Sequence, residues 1–419
     1  MLDIRYIRDH AEEIKMNCKN RRVKVDIDVL LSLDSERRGR QKERDSLRAD
    51  RHQTSKAKPH PAEIERMKQV GEKVEKIEKE LEKIEKKYFE LLLSTPNRTH
   101  PEAPVGGEED FKVLEERGSG LKFNFKPKDH ETLMTDLELI DFQRGAKVAG
   151  NKFYYLKGDL VRLNLALLNY GIDSVTRQGY KLLETPDLVK QEVLDASGFN
   201  PRGAESQVYD IVSHDLHLVG TAEIPLLGYH ANEVLDLSRG PIKYAGLSHC
   251  YRTEGGAYGK AMKGLFRVHQ FTKLEMFVFC RPEDGESMHA ELLKIENEIC
   301  DGLELQYRVI DTASGDLGGP AYRKFDLEAR MVMKDQAESG YGFGEITSTS
   351  NCTDYQARRL NIRYVNEAGK KELAHTLNGT AMVLSRFPLA LFEQHQQADG
   401  TVRVPPALRP YLGGAERIG

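Results

Sequence analysis

Residues 248–279 read SHCYRTEGGAYGKAMKGLFRVHQFTKLEMFVF. The two ends have the apolar and β-branched character of strands, and the glycine-rich middle, residues 255–264, reads as a long loop. Arg252 and Glu254 stand at the loop's entry and Arg267 at its exit, with Phe271 and Glu275 further along the returning strand. A strand turns alternate side chains to opposite faces, so Glu275, Phe271 and Arg267 are expected on one face. A cation, an aromatic ring and a carboxylate on one strand face are costly to bury unless a ligand uses them. An ordinary hairpin laced by cross-strand salt bridges is the competing explanation, and at this point both stand.

Outward from this hairpin, strand-like runs at 152–156, 274–280 and 307–311 alternate with helical stretches at 160–178 and 288–300. Long helices mixed with clustered strands predict an α+β body built on a largely antiparallel β-sheet. Three more segments place polar groups where a packed sheet wants apolar ones: VGTAEIP at 219–225, GEITSTSN at 344–351, and HTLNGTA at 375–381, followed by Arg386. Dinucleotide and P-loop fingerprints are absent.

Toward the N-terminus, charge is densest between residues 34 and 87. There Ile64, Met67, Val74, Ile77, Leu81, Ile84, Tyr88 and Leu91 recur at steps of three and four, the seam of a coiled coil. A weaker seam, Leu30, Leu33 and Leu47, runs through an arginine-rich helix from about 27 to 56. Pro59 and Pro61 separate the two. An antiparallel helical hairpin follows, about 45 Å long at 1.5 Å per residue. A dimerising or spacer hairpin fits this pattern. So does a phosphate-seeking arm carrying Arg37, Arg40, Arg44 and Arg51, with Lys56 and Lys58 near its tip. Pro96, Pro101, Pro104, Gly106 and Gly107 mark a linker.

The 419 residues are 39 % hydrophobic, with a mean hydropathy of −0.56. No apolar run is long enough to span a bilayer, and the opening MLDIR lacks a secretory core, so a cytoplasmic protein without a membrane partner is expected. Five scattered cysteines without a CxxC pair argue against a disulfide framework. The dispersed His214, His217, His249 and His269 add no zinc pattern, and no structural zinc is expected. Net charge is −4, so any attraction for nucleic acid must be local.

The ordered set TAE at 221–223, RTE at 252–254, FRVHQF at 266–271, EITSTSN at 345–351 and HTLNGTA at 375–381 resembles the seryl-tRNA synthetase family, class II, in its common bacterial and organellar form. MLDIRYIRDH at the start, FKPKDHETL at 125–133 and ADGTVRVPPALRPYL near the end match as well, so the resemblance covers essentially the whole chain. It implies an N-terminal tRNA-binding domain, 1–100, with an arm at about 27–93, and a class II catalytic domain, 101–419. It implies a serine–tRNA ligase that forms seryl-adenylate from L-serine and ATP, then loads tRNA(Ser), with tRNA(Sec) left open as a second acceptor. Arg252 and Arg386 would be catalytic. ATP would be held by Arg252, Thr253, Glu254, Arg267, Val268, Phe271, Glu345, Ile346, Thr347, Ser348 and Arg386, with the adenine between Phe271 and Arg386. Serine would meet Thr221, Ala222, Glu223, Arg252, Glu275, Asn378 and Thr380. Thr221 and Thr380, taken alone, would pass for cap or turn residues. Glu345 and Ser348 would bind Mg²⁺ bridging the ATP phosphates. Pro186 and the helix at 160–178 would build a homodimer interface.

The sequence departs from the family pattern at Phe387-Pro388, at the 255–260 loop, and across 198–210. A synthetase-like paralogue, either an inhibitor-resistant copy or a ligase that loads an acceptor other than tRNA, is the alternative these departures keep in view.

Overall fold

The computed structural model describes residues 1–56, 60–118, 123–198, 207–254, 264–332 and 341–419. Lys58, Pro59, the atypical loop at 255–260 and residues 199–206 lie outside this set, as does the side chain of Lys56. The chain divides into two compact units, Met1–Arg98 and Thr99–Gly419.

In the first unit, helix α1 (Ile27–Lys56) and helix α2 (Pro61–Ser94) form a hairpin. Cross-links between Gln41 and Glu85, Arg48 and Glu78, and Arg66 and Asp50 show that the two run antiparallel. The buried stripe of α2 is Val70, Val74, Ile77, Leu81, Ile84, Tyr88 and Leu92. It differs from the expected seam at both ends. Ile64 is 57 % exposed, and Met67 and Leu91 are half-buried. A step of four from Tyr88 keeps Leu92, and not Leu91, on the inner face. Pro61 sits in the first turn of α2, where its missing N–H costs nothing, and Glu63 accepts the His60 backbone N–H.

The root of the hairpin is electrostatic. The Asp34 side chain is 0 % exposed and meets Arg8 at 3.3 Å, Arg37 at 3.4 Å and Arg38 at 3.1 Å. Arg37 also stacks on Tyr88 of α2, 4.3 Å from its ring centre. Asp34→Ala leaves three arginines without their anion, though each retains some access to water. We expect the variant to lower the stability of this unit by about 3 kcal/mol, the low end for a buried pair losing one partner. Helix melting followed at 222 nm on the full chain checks this.

The second unit is built on eight strands: β1 (Lys112–Arg117), β2 (Lys181–Glu184), β3 (Ile242–Tyr251), β4 (Gln270–Cys280), β5 (Tyr307–Asp311), β6 (Arg323–Met331), β7 (Gly342–Thr353) and β8 (His375–Val383). They lie in the order β1-β5-β6-β7-β8-β4-β3-β2. Neighbours are antiparallel throughout, except that β2 joins β3 in parallel. The expected strand at 152–156 shrinks to Tyr155–Leu156, because Lys152 turns the chain with φ 64.

Helices α3 (Asp159–Arg177), α4 (Gly285–Gly302) and α5 (Phe387–His395) pack on one face. Their Leu160, Leu163, Leu167, Leu292, Ile295, Leu389 and Phe392 join Leu274, Met276, Val278 and Cys280 of β4 in the main core. Pro388 does not bend α5. It occupies the first turn, a position proline fits. On the opposite face of β4, Phe277 and Phe279 enter a second core with Leu226, Leu227, Ile362 and Tyr364. By the same period-two alternation, Lys273 and Glu275 lie on that face between Phe271 and Phe277. A polar gap therefore opens in the sheet face just where the second core ends.

Two β-bulges border this gap. Pairing of β4 with β8 jumps from Leu274↔Met382 to Glu275↔Thr380, leaving Ala381 extra. Pairing of β6 with β7 jumps from Leu327↔Thr347 to Glu328↔Glu345, leaving Ile346 extra. A bulge re-aims the side chains that follow it. Among the described residues, no helix is long and apolar enough to cross a membrane.

Candidate active site

The polar gap belongs to a cleft of about 470 Å³, counting the open space at its mouth. β3 ends in Tyr251, and Arg252 follows it into the cleft. Its Nε donates to the Gly220 carbonyl at 3.2 Å, and its guanidinium lies 5.3 Å from the Phe271 ring centre. Arg386, at the N-terminus of α5, stacks 3.7 Å over Phe266 and donates to the Glu345 carbonyl. Arg267 lies outside β4, beyond the turn Gly264–Phe266, and reaches the cleft from there to pair with Glu254 at 3.2 Å. Glu254 takes a left-handed backbone, φ 50, a strained conformation of the kind that gathers at functional sites.

Nine of the residues singled out from sequence thus line one cavity: Arg252, Glu254, Arg267, Val268, Phe271, Glu345, Ile346, Thr380 and Arg386. Thr253 and Thr347 are absent from its lining. The Thr253 backbone N–H donates to Gln207, and the Thr347 hydroxyl pairs with Glu296 of α4.

Beside the cleft lie the remaining acids. Glu275 is 1 % exposed and stands opposite Thr380 on β8 and Gly246 on β3. Lys273 contacts its carboxylate. Burial pushes Glu275 up to about 7, Lys273 opposes, and the nearby Glu223 adds to the rise. Burial raises Glu223 as well, against a hydrogen bond from Gln356 and the charges of Lys273 and Arg252. Thr221 accepts the Glu223 N–H at 3.3 Å, starting the helix Glu223–Tyr229, and Ala222 packs against β3. Gly246 admits that helix: a Cβ there would stand 2.7 Å from Leu226 and 3.0 Å from Ala222. Asn378 is turned elsewhere, its amide donating to Cys352 Sγ at 3.7 Å.

Glu345 is open to solvent through the cleft. Burial by the surrounding walls pushes its carboxyl up, and Arg386, Lys324 and Arg252 more than offset this, holding it below its ordinary value. Arg386 is lowered to about 10, by burial first and then by Arg252 and Arg267, and stays charged at neutral pH. The bulge at Ile346 offsets the strand by one, so Glu345 and Ser348 fall on one face. Ser348 stands opposite Asp326, whose carboxyl burial raises. Asp326 Oδ1 is buried and has no hydrogen-bond partner among the described residues, while Oδ2 faces Lys324 at 3.3 Å. The two carboxylates, Glu345 and Asp326, and the Ser348 hydroxyl form a hard donor set that suits Mg²⁺.

Sequence reasoning overlooked Lys273, Phe266, Asp326, Gln356 and Glu296. Lys273 was within reach, two residues before Glu275 and therefore on its face. Gln356 was not: it lies 133 positions from Glu223 and is brought there only by the tertiary fold.

Residues 1–99 match the family model described as the seryl-tRNA synthetase N-terminal domain, and residues 207–395 match the tRNA synthetase class II core domain (G, H, P, S and T). A serine–tRNA ligase of Treponema denticola is 48 % identical over all of both chains. The seryl-tRNA synthetase of Pyrococcus horikoshii, solved with ATP, superposes with a TM-score of 0.89 at 36 % identity, covering 100 % of this chain and 99 % of that one. The cytoplasmic serine–tRNA ligase of Naegleria fowleri, solved with AMP, gives 0.84 at 31 % identity over 100 % and 98 %. Set beside the sheet, the hairpin and the arginine-lined cleft, these full-length likenesses place the chain in the seryl-tRNA synthetase family.

Proposed function

We propose that this class II serine–tRNA ligase activates serine in the cleft between β3, β4, β7 and β8, with Arg252 and Arg386 as its catalytic residues. One observation carries the reading. Three guanidiniums and the Lys273 ammonium converge on a cavity that adjoins two carboxyls, the buried Glu275 and the half-buried Glu223. The cations suit a triphosphate, and the acids suit the ammonium and hydroxyl of a small amino acid.

The serine carboxylate attacks the α-phosphorus of ATP, and the bond to the β-phosphate bridging oxygen breaks, releasing pyrophosphate. Arg252 meets both the carboxylate and the α-phosphate, since a planar guanidinium donates in parallel and offsets the charge that builds during attack. Arg267 draws off the outer phosphates from its pair with Glu254, which frees Glu254 for the adenine edge. Phe271 and Arg386 take the two faces of the adenine. Glu345 and Ser348, with Asp326 behind them, would hold Mg²⁺, whose charge neutralises phosphate oxygens. The terminal hydroxyl of tRNA then attacks the seryl carbonyl and AMP departs. Thr221, Thr380 and Glu275 form the side that tells serine from alanine, because polar groups left unpaired reject the smaller substrate. Within the same reading, the first unit binds the long arm of tRNA(Ser), the chain works in the cytoplasm as a homodimer, and α3 and Pro186 lie at the dimer interface.

Glu275 supplies the test. Its raised value means that, without ligand, the folded protein holds a proton there which the unfolded chain loses above about 4.5. Its contribution to stability is present below that value and fades as pH climbs to about 7. The serine ammonium favours the ionised form, so binding releases the proton. KM for serine is expected to fall about tenfold per unit as pH rises toward 7, then level off. Glu275→Gln should weaken serine binding and flatten this profile. A serine KM in wild type that does not change between about pH 6 and about pH 8 contradicts the assignment.

A further inference from the structure

Ladder pairing between β7 and β8 runs from Thr353↔Thr376 to Thr349↔Gly379 and ends there. Beyond that point each strand carries its bulge, at Ile346 and at Ala381, and the two part at the edge of the cleft. The fork is closed from the helix side by one side chain. Glu296 of α4 is 0 % exposed. Its Oε1 accepts the Thr380 backbone N–H at 2.9 Å, and its Oε2 pairs with Thr347 Oγ1, also at 2.9 Å. Gly379 leaves room for it: a Cβ at that position would lie 3.0 Å from Glu296 Oε1.

We propose that Glu296 is a positioning residue for serine recognition, a strut that spans the forked strands and fixes Thr380 against the pocket from behind the sheet. The proposal rests on Thr380 and Glu275 forming the serine side of the cleft, as argued above. Glu296 touches no substrate. Its role is to satisfy the N–H that the Ala381 bulge removes from the ladder, and so to hold Thr380 in one place opposite Glu275.

Burial comes first in raising the Glu296 carboxyl well above the ordinary range, and Glu275 of β4 and Asp326 of β6 add to it against the two hydrogen bonds. Both oxygens accept: Oε1 from the Thr380 backbone N–H and Oε2 from the Thr347 hydroxyl. Glutamine has the same length and keeps both contacts, its oxygen accepting from the Thr380 N–H and its amide donating to the Thr347 hydroxyl oxygen, whereas aspartate is one methylene short of both partners.

The experiment is serine-dependent exchange of pyrophosphate into ATP with Glu296→Gln, Glu296→Ala and Glu296→Asp in the full chain. Glu296→Gln should keep the serine KM within about twofold of wild type, and Glu296→Ala should raise it by about tenfold or more, with a smaller change in the ATP KM. Should the alanine variant not fold, Glu296→Asp decides, with the same rise expected. An alanine or aspartate variant with an unchanged serine KM overturns the proposal, and so does a glutamine variant as impaired as alanine. Absence of exchange in the wild type would instead count against the assignment of the site itself.

Discussion

Arg252→Ala is expected to reduce serine-dependent pyrophosphate exchange by at least about a thousandfold in kcat/KM. The size follows from where the guanidinium sits. It follows the last residue of β3 and lines the cleft, between the Phe271 ring and the Gly220 carbonyl. It is the group best placed to bond both the attacking carboxylate and the α-phosphate, and each contact strengthens as charge moves onto phosphorus. The fold should tolerate the change, because the residue is half-buried and lies just past a strand end. Thermal melting close to wild type, together with lost exchange, separates chemistry from stability. Arg252→Lys should recover only a small part of the rate, since an ammonium cannot donate the parallel pair. Near-normal exchange in the alanine variant would remove Arg252 from its assigned role.

The second large effect concerns the hairpin. Arg40 of α1 and Glu80 of α2 pair at 3.2 Å, so a short turn can join residues 40 and 80 in place of 41–79. This retains the root formed by Asp34, Arg37, Arg8 and Tyr88. Exchange should stay within about twofold of wild type, because all the cleft residues lie in the second unit. Aminoacylation of tRNA(Ser) should fall by about a hundredfold or more in kcat/KM if phosphate contacts along the arm hold the tRNA. The tRNA KM of the intact protein should also rise steeply with salt, and that of the truncated protein much less so. Undiminished charging by the truncated chain would show that the arm is not the tRNA handle.

Local periodicity made much of this site legible. The period of two in β4 placed Phe271 and Glu275 on one face, and the steps of three and four in α2 gave the hairpin its inner stripe. Both signals fail where the repeat is interrupted. Arg267 cannot follow the strand alternation, because the chain turns at Gly264–Phe266 before β4 begins. The bulge at Ile346 interrupts the alternation of β7, and the Thr347 hydroxyl bonds to Glu296. Bulges depend on what the neighbouring strand offers, and a single strand's pattern does not contain that. Glu296 looked like one more polar residue of a helix at 288–300. Only the packing of α4 under β7 and β8 shows that its carboxyl is buried and bonded. Pro388, one of the departures from the family pattern, stands in the first turn of α5, a position that accepts proline.

The central claim is that the cleft matches one small hydroxylated amino acid beside ATP. Pyrophosphate exchange measured with each of the twenty amino acids in turn tests it most directly. The geometry predicts exchange with serine that exceeds that with alanine, threonine or cysteine by at least about a hundredfold in kcat/KM. Equal exchange with alanine, or exchange driven best by another amino acid, would contradict it.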